Sequence, residues 1–343
     1  MNKCLTRLET FRPDRPEVSV IIPNINGSHL LPECLGTLRS AASRIELILV
    51  DNGSEDESVQ LTKDMWPEAR VITNITNLGF AEACAQGAEI ARSELLLFLN
   101  NDVILPLHSL DILIAALVSR PEVAACQPTL RRPSGELDSA GSLFTRSGFL
   151  YHLTEQDLAD GNFGDVRFAL KGACLLVRKS VYDSVGGFDC SYFAYFEETD
   201  LCWRMLLAGW KLVHVSDATA THFVGSTTTK VFSPSHIDYL SFRNRVTSIR
   251  ANSSRSLRRV VLPLHVGLCM VIAAAFLLNG KARNALAIIK AIFWHVTNRR
   301  RVMEKRQANW SRGLVNEQML QEVATTMPLG ASLKSMRGYM IRW

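Results

Sequence analysis

Short runs of apolar residues alternate with helically spaced apolar positions along the first hundred residues. The runs at 17–22, 46–50, 70–73 and 94–99 are typical of strands, and the apolar positions between them, three and four residues apart, are typical of helices. Alternating strands and helices imply right-handed crossovers and parallel strand pairing. We therefore predict an α/β fold, with a mostly parallel, Rossmann-like sheet that carries helices on both faces.

Polar residues follow each of these four strands. They include Asn24, Asn26, Asp51, Asn77, Asn100, Asn101 and Asp102. The carboxyl ends of parallel strands share one edge, where α/β sheets bind their ligands. Asp102 could therefore hold a divalent cation on a diphosphate, and Asp51 could accept a hydrogen bond from a base or ribose. Turn formation explains the same residues, so both interpretations of Asp102 stay open.

The chain after residue 102 has weaker patterns. A helix is expected from Pro106 to about residue 120, and strands are expected at 123–126, 171–177 and 210–215. The glycine-containing stretch 129–169 shows no periodicity. A loop of this length is usually functional or mobile, so we expect an irregular flap on the acceptor side of the site. The absence of GxGxxG and GxxxxGK[ST] disfavours a dinucleotide-binding fold and a P-loop.

Three carboxylates, Glu197, Glu198 and Asp200, lie within four residues and follow an aromatic stretch at 193–196. A carboxylate desolvated by such a wall would have a raised pKa and would suit a general base. An acidic first turn stabilised by the helix dipole explains the same residues. From these residues alone, the helix-dipole interpretation is favoured over the general-base interpretation. His222 stands alone after the last strand, and a lone histidine is usually not a metal ligand.

Composition and charge narrow the class of protein. A hydrophobic fraction of 47% with 21% charged residues indicates a folded chain. Residues 1–16 form a polar tail without a secretory signal. The eight cysteines lack CxxC spacing, which argues against a zinc site or a disulfide framework and favours a reducing cytoplasm. The net charge is +5, but the charges are unevenly distributed along the chain. Residues 243–306 contain 14 Lys and Arg, and Glu304 is the one acidic residue among them.

The basic region, residues 251–306, contains two long apolar stretches at 260–278 and 285–296. Basic residues flank both ends of the first stretch, which favours an in-plane or re-entrant segment over a clean membrane span. We expect this region to face an anionic membrane surface. A buried helical hairpin on the catalytic domain is the alternative, and nucleic acid is disfavoured because exposed aromatic residues do not accompany the charges. Residues 307–343 form an uninformative tail.

The ordered motifs in residues 17–250 resemble those of family 2 glycosyltransferases with the GT-A fold, particularly the bacterial rhamnosyltransferase-like branch. The matching stretches are 18–27, 49–54, 77–87, 97–102, 172–177, 186–189, 196–204, 208–210, His222 and 239–245. The resemblance implies a nucleoside-diphosphate sugar donor, a divalent metal (Mg²⁺ or Mn²⁺) and inversion at the anomeric carbon. Departures from the family pattern are Ile25, Ala85 and Asn100, the last of which replaces the first carboxylate of DxD.

The resemblance also implies roles for individual residues. Asp102 and His222 would approach the metal, and Glu198 would be the general base, with Glu197 as its competitor for that role. The nucleotide sugar would contact Pro23, Asn24, Asn26, Asp51, Asn77, Gly79 and Asn101. The acceptor side or its supporting shell would include Glu197, Asp200, Gly187 and Trp203.

The implied activity is transfer of a sugar, with rhamnose favoured, to a glycan or polyprenyl-linked acceptor during cell-surface polysaccharide synthesis. The implied location is the cytoplasmic face of the plasma membrane, with peripheral or monotopic attachment. A catalytically weak nucleotide-sugar-binding scaffold is the alternative, motivated by Asn100 and Ala85. A nucleotidyltransferase is disfavoured because residues 23–27 do not resemble a glycine-rich phosphate loop.

Overall fold

A nine-stranded sheet forms the centre of the protein in a computed structural model, which describes residues 15–161, 163–224 and 232–312. Its strands are β1 (Val18–Asn24), β2 (Ile45–Asp51), β3 (Arg70–Thr73), β4 (Leu95–Leu99), β5 (Val103–Ile104), β6 (Val123–Arg131), β7 (Leu137–Ser139), β10 (Cys174–Arg178) and β11 (Lys211–His222). A separate hairpin contains β8 (Ser142–Phe144) and β9 (Leu150–His152). The order across the large sheet is β3-β2-β1-β4-β10-β6-β11-β5, and β7 pairs with β6.

The prediction of a mostly parallel sheet holds only for the first half of the sheet, because the second half is mixed. Strand β1 runs parallel to both β2 and β4, and β2 runs parallel to β3. Strand β10 then enters antiparallel to both β4 and β6, while β11 runs parallel to β6. The carboxyl ends of β1, β2 and β4 consequently lie at one edge, and the chain segments after them meet there.

The helices are α1 (Leu31–Leu38), α2 (Ser58–Met65), α3 (Phe80–Ile90), α4 (Leu107–Val118), α5 (Glu155–Asp160), α6 (Lys179–Ser184), α7 (Glu197–Leu207), α8 (Pro234–Asn252), α9 (Arg255–Leu278), α10 (Ala282–Thr297) and α11 (Arg299–Ser311). They cover both faces of the sheet, as predicted. Side chains alternate between the faces of a strand, so Ile21 packs in one apolar cluster and Val20 in another. The first cluster includes residues of α3 and α7, and the second includes residues of α1 and α4.

The prediction of an irregular segment at 129–169 is wrong. Strand β6 continues to Arg131, β7 folds back on it, and the β8–β9 hairpin and α5 follow. These strands are only three residues long, too short for periodicity to detect. The turn between β8 and β9 uses Gly148 at φ 76°, a conformation that glycine adopts without strain.

The C-terminal helices pack on the sheet domain. Phe149 of the β8–β9 hairpin, Phe242 of α8, Cys269 of α9 and Ile288 of α10 share one buried apolar cluster. The expected domain boundaries at 250 and 306 therefore fall inside helices α8 and α11. Most of the two expected tails, at 1–14 and 313–343, lies outside the described residues.

Candidate active site

A cavity of about 560 Å³ opens at the edge where β1 and β4 end. The predicted metal ligand Asp102 and the predicted base Glu198 both line it, although almost one hundred residues separate them in sequence. The other predicted residues in its lining are Pro23, Asn24, Asn77, Gly79, Asn101, Glu197 and His222. The structure thus brings most of the predicted site into one cleft.

Amide side chains join the strand ends on one side of this cleft. Asn101 Nδ2 donates to Asn24 Oδ1 at 2.7 Å, and Asn24 Nδ2 donates to Asp51 Oδ1 at 2.9 Å. Gly27 lies against the same pair, because a Cβ at this position would come within 2.2 Å of Asn24 Oδ1 and 2.3 Å of Asn101 Nδ2. The ends of β1, β2 and β4 are therefore held in one fixed arrangement.

Two predicted donor-binding residues do not belong to the described lining of the cleft. Asn26 is exposed at φ 48°, and its Oδ1 accepts a hydrogen bond from the Glu55 amide at 2.8 Å. Asp51 is buried, with its oxygens directed at Asn24 and the Ser54 amide, so it is not placed to accept from a base or ribose as predicted. The neighbouring Asn52 lines the cleft instead and donates from Nδ2 to the Gly79 carbonyl at 3.1 Å.

A chain of charged side chains begins at Asp102. His222 Nε2 lies 3.4 Å from Asp102 Oδ1, and His222 Nδ1 lies 2.8 Å from Asp138 Oδ2. Lys171 Nζ completes the chain, 2.5 Å from the same oxygen of Asp138. The imidazole is thus fixed between two carboxylates, one of which faces the end of β4.

Two pKa shifts follow from this chain. Burial alone would raise the pKa of Asp138, but the hydrogen bond to His222 and the charge of Lys171 outweigh it and lower that pKa to about 2. Burial alone would lower the pKa of His222, but its contacts with Asp102 and Asp138 outweigh burial and raise it. The arrangement therefore favours an ionised Asp138.

The oxygen atoms beside Asp102 fit a divalent cation. Within the described part of the chain, Asn100 Oδ1 and Asp102 Oδ1 are buried without a hydrogen-bond partner. Carboxylate and amide oxygens are suitable ligands for Mn²⁺ or Mg²⁺. The described ranges contain no group of three or more His, Cys, Asp and Glu arranged around one metal position. The protein would thus supply only part of the coordination, which leaves room for phosphate oxygens and water.

Helix α7 begins directly after a strained turn. The non-glycine residues Phe193, Tyr195 and Phe196 have φ values of 67°, 68° and 74°. Such left-handed conformations cost free energy and are found often at functional sites. Asn244 of α8 stabilises this turn by donating from Nδ2 to the carbonyls of Tyr192, Ala194 and Tyr195 at 2.7–3.0 Å.

Glu197 and Glu198 enter the cleft at the start of α7. Burial raises the pKa of both carboxyl groups, and the charge of Glu198 raises the pKa of Glu197 further. Gly172 of the opposite wall leaves space for Glu198, since a Cβ there would lie 3.3 Å from Glu198 Cβ. Both carboxylates could thus accept a proton, and Glu198 is the more exposed of the two.

Three predicted acceptor-side residues are absent from the described lining. Asp200 is fully buried and paired with Arg204 at 2.9 Å. Trp203 packs in the core, with its ring centroid 5.1 Å from that of Phe168. Gly187 lies against the ring of Tyr182. Asp200 and Trp203 are buried within the protein, and none of the three residues belongs to the described lining of the cleft.

Several residues that line the cleft were not predicted from the sequence. Asp138, Ser142, Leu150 and His152 all come from the segment expected to be an irregular flap, so that segment does border the cleft. The sequence predicts Lys171 only as the first residue of a strand. Their sequence neighbourhoods carry no motif, and only the tertiary fold brings them to the site.

Sequence comparisons match this chain to known glycosyltransferases. The model of the family described as "Glycosyl transferase family 2" matches residues 19–186. An N-acetylglucosaminyl-diphospho-decaprenol L-rhamnosyltransferase of Mycobacterium tuberculosis is 30% identical over 57% of this chain and 72% of its own length. The O-antigen biosynthesis protein RfbC of Myxococcus xanthus is 28% identical over 60% of this chain but only 17% of its own length.

Solved structures support the fold. The mannosyltransferase PcManGT from Pyrobaculum calidifontis, in complex with GDP-Man and Mn²⁺, has a TM-score of 0.53 at 15% identity, covering 94% of this chain and 88% of its own. Residues 1–349 of S. aureus TarS, in complex with UDP-GlcNAc, have a TM-score of 0.56 at 16% identity, covering 94% and 89%. With the match to the Mycobacterium relative, these comparisons establish that the chain belongs to glycosyl transferase family 2 and is a glycosyltransferase.

Proposed function

We propose that this enzyme transfers a sugar from a nucleoside diphosphate to a hydroxyl group of a lipid-linked glycan, in one displacement that inverts the anomeric carbon and requires a divalent cation. The observation that carries the proposal is the shared cleft of Asp102 and Glu198. A group suited to hold a donor's diphosphate and a group suited to activate an acceptor thus border the same space.

The donor would lie along the strand ends. Asn24, Asn52, Asn101 and the Asn77–Gly79 turn offer amide donors and acceptors to the nucleotide and diphosphate. Asp102 and His222 would hold the cation, with Asn100 Oδ1 beside them. A bound Mn²⁺ or Mg²⁺ would offset the negative charge that develops on the leaving diphosphate. Asp138 orients His222 through its other ring nitrogen, as partners of metal-binding histidines commonly do.

The acceptor would approach from the side of α7. Glu198 accepts the proton of the attacking hydroxyl, whose oxygen forms a bond to the anomeric carbon on the face opposite the diphosphate. The bond from that carbon to the diphosphate oxygen breaks, and the nucleoside diphosphate leaves with the electron pair. The raised pKa of Glu198 suits this role, because a more basic carboxylate takes up a proton more readily.

The substrates are proposed from the relatives. Because the Mycobacterium relative is named as a rhamnosyltransferase acting on a decaprenol diphosphate-linked sugar, we propose rhamnose as the transferred sugar and a polyprenyl-linked glycan as the acceptor. We further propose that the enzyme works at the cytoplasmic face of the plasma membrane, where its basic C-terminal region would meet anionic lipid.

The test compares Glu198→Gln with the matched variant Glu197→Gln. Loss of a general base typically lowers the rate by about 10²–10⁴-fold, so we expect a loss of this size in kcat for Glu198→Gln, with unchanged donor affinity by calorimetry. Glu197→Gln should retain more of the activity. Full turnover by a folded Glu198→Gln enzyme would overturn the assignment of the base.

The donor itself can be identified by a thermal-shift screen of nucleotide sugars with Mn²⁺ or Mg²⁺, because a bound ligand stabilises the folded state by mass action. A chelator should abolish the shift given by the true donor. An equal shift with and without the metal would overturn the cation requirement.

A further inference from the structure

We propose that the outward faces of α9 and α10 form a docking surface for an anionic lipid bilayer, on which the enzyme lies without spanning it. This membrane face comprises Val260, Val271 and Leu278 of α9 and Leu286, Phe293 and Val296 of α10. Their side chains are between 49% and 89% exposed, whereas large apolar side chains are usually covered. The proposal rests on the proposed function only for the claim that the acceptor is attached to lipid.

The opposite side of α9 shows why this helix does not cross a membrane. Among the described helices, it is the one long and apolar enough to do so by length and composition. However, Val261, His265, Cys269, Ile272 and Phe276 form a buried stripe with helical spacing along most of its length. One side of the helix is therefore buried against the rest of the protein, and only the other side is available to lipid.

The buried stripe contacts the β8–β9 hairpin, and this hairpin also borders the cleft. At the middle of α9, His265 Nδ1 donates to the Ser147 carbonyl of the β8–β9 turn at 2.9 Å. Leu150 and His152 of the same hairpin line the cleft. A spanning α9 would draw this hairpin, and with it the polar cleft, into the hydrocarbon core. A helix that lies in the plane of the interface avoids that cost.

The charge around the membrane face selects the partner. Residues 255–303 contain no Asp or Glu, and Arg259, Arg283 and Lys290 are exposed beside the apolar stripes. Apolar side chains bordered by cations bind anionic headgroups and the upper acyl region of a bilayer. A second copy of the chain is a poorer occupant, because it would bring the same cations against one another.

The position of this surface has a consequence for the acceptor. The β8–β9 hairpin contacts α9 on one side and lines the cleft on the other. Docking on the membrane face would therefore hold the cleft near the headgroup layer, within reach of a glycan attached to a membrane lipid. Soluble acceptors would not need this surface.

The experiment measures binding of the full chain to vesicles by flotation. We compare Val271→Glu and Phe293→Glu with Val118→Glu, a matched control because Val118 is an exposed valine on α4, in the catalytic domain. Wild type and the control should bind vesicles of phosphatidylglycerol and phosphatidylcholine, and bind pure phosphatidylcholine at least tenfold more weakly. Each membrane-face variant should lose at least tenfold in binding, while its transfer to a soluble acceptor analogue stays unchanged.

The outcomes separate this proposal from the proposed function. Equal vesicle binding by all variants, or none by wild type, overturns the membrane face even if transfer continues. Normal binding without transfer from any nucleotide sugar overturns the proposed function alone. Bound enzyme should also exchange between vesicle populations, and failure to exchange would indicate a spanning helix. A dimer lost in Val271→Glu without any vesicle binding would assign the face to a second copy.

Discussion

Lys305 of α11 neutralises Asp200, a buried carboxylate of α7, and its replacement by methionine tests how strongly this contact stabilises the enzyme. Lys305 Nζ lies 2.9 Å from Asp189 Oδ2, 3.1 Å from Asp200 Oδ1 and 3.8 Å from the centroid of the Tyr192 ring. The side chain of Asp200 is fully buried, and that of Lys305 is 11% exposed. Methionine keeps most of the side-chain volume and removes only the charge.

The expected loss can be bounded from the contacts that remain. Removing one partner of a buried ion pair typically costs about 3–5 kcal/mol, because the other charge stays desolvated. Asp200 would keep its ion pair with Arg204 and the hydrogen bonds donated by Tyr192 and Asn252. We therefore expect Lys305→Met to lower the free energy of unfolding by ~2–3 kcal/mol. For a protein of this size, the loss corresponds to a fall in Tm of about 3–4 °C.

The assay is urea unfolding, with Lys63→Met as the matched control. Lys63 is an exposed lysine in the last turn of α2, so its replacement should change stability by less than about 0.5 kcal/mol. If Lys305→Met is no less stable than Lys63→Met, the argument from burial is refuted.

The pH dependence of this loss follows from the pKa of Asp200. Burial opposes ionisation, but Lys305 and Arg204 lower the pKa of Asp200 well below its ordinary value. A lowered folded-state pKa contributes stability above the unfolded pKa of about 3.9, and that stability is lost as the pH falls towards the folded value. The difference between wild type and Lys305→Met should therefore be largest near neutral pH and shrink in acid.

Three further predictions concern the cleft. Gly27→Ala should weaken donor binding at least tenfold by calorimetry, because its Cβ would lie 2.2 Å from Asn24 Oδ1; unchanged affinity would contradict the packing. The value of kcat should rise with pH across the raised pKa of Glu198, since only the carboxylate acts as a base; a pH–rate profile that is flat at every pH above the ordinary glutamate pKa of about 4.3 would contradict the assignment. Asn244→Ala should destabilise the enzyme by ~2–3 kcal/mol and lower kcat, because the strained turn at Tyr195 loses its hydrogen bonds; normal melting and turnover would exclude this role.

The half of the fold with central parallel strands was predictable from sequence. Strand β3 occupies 70–73 as predicted, and β1, β2 and β4 differ from prediction by one or two residues at their ends. Strands β1, β2 and β4 are buried on both faces, so their apolar runs are continuous and unambiguous. Strands β7, β8 and β9 could not be found in this way, because each is only three residues long.

The sheet topology alone brings several of the predicted site residues together. Parallel strand ends meet at one edge, so Asn24, Asn101 and Asp102 had to be neighbours once the strand order was known. The direction of each side chain was not predictable by the same argument. Asp51 also ends a strand, yet it faces the protein interior. Asp138 reaches His222 only because β7 folds back on β6, a pairing without a sequence signature.

Three of the C-terminal helices contact elements that border the cleft, although their composition alone predicts a separate membrane region. Asn244 supports the turn before Glu197 and Glu198, His265 contacts the hairpin that borders the cleft, and Lys305 neutralises the buried Asp200 of α7. Each contact joins a different C-terminal helix to a different part of the site. The membrane face proposed on α9 and α10 is therefore part of the same packing as the residues proposed to perform the transfer, so docking on lipid would also set the orientation of the cleft.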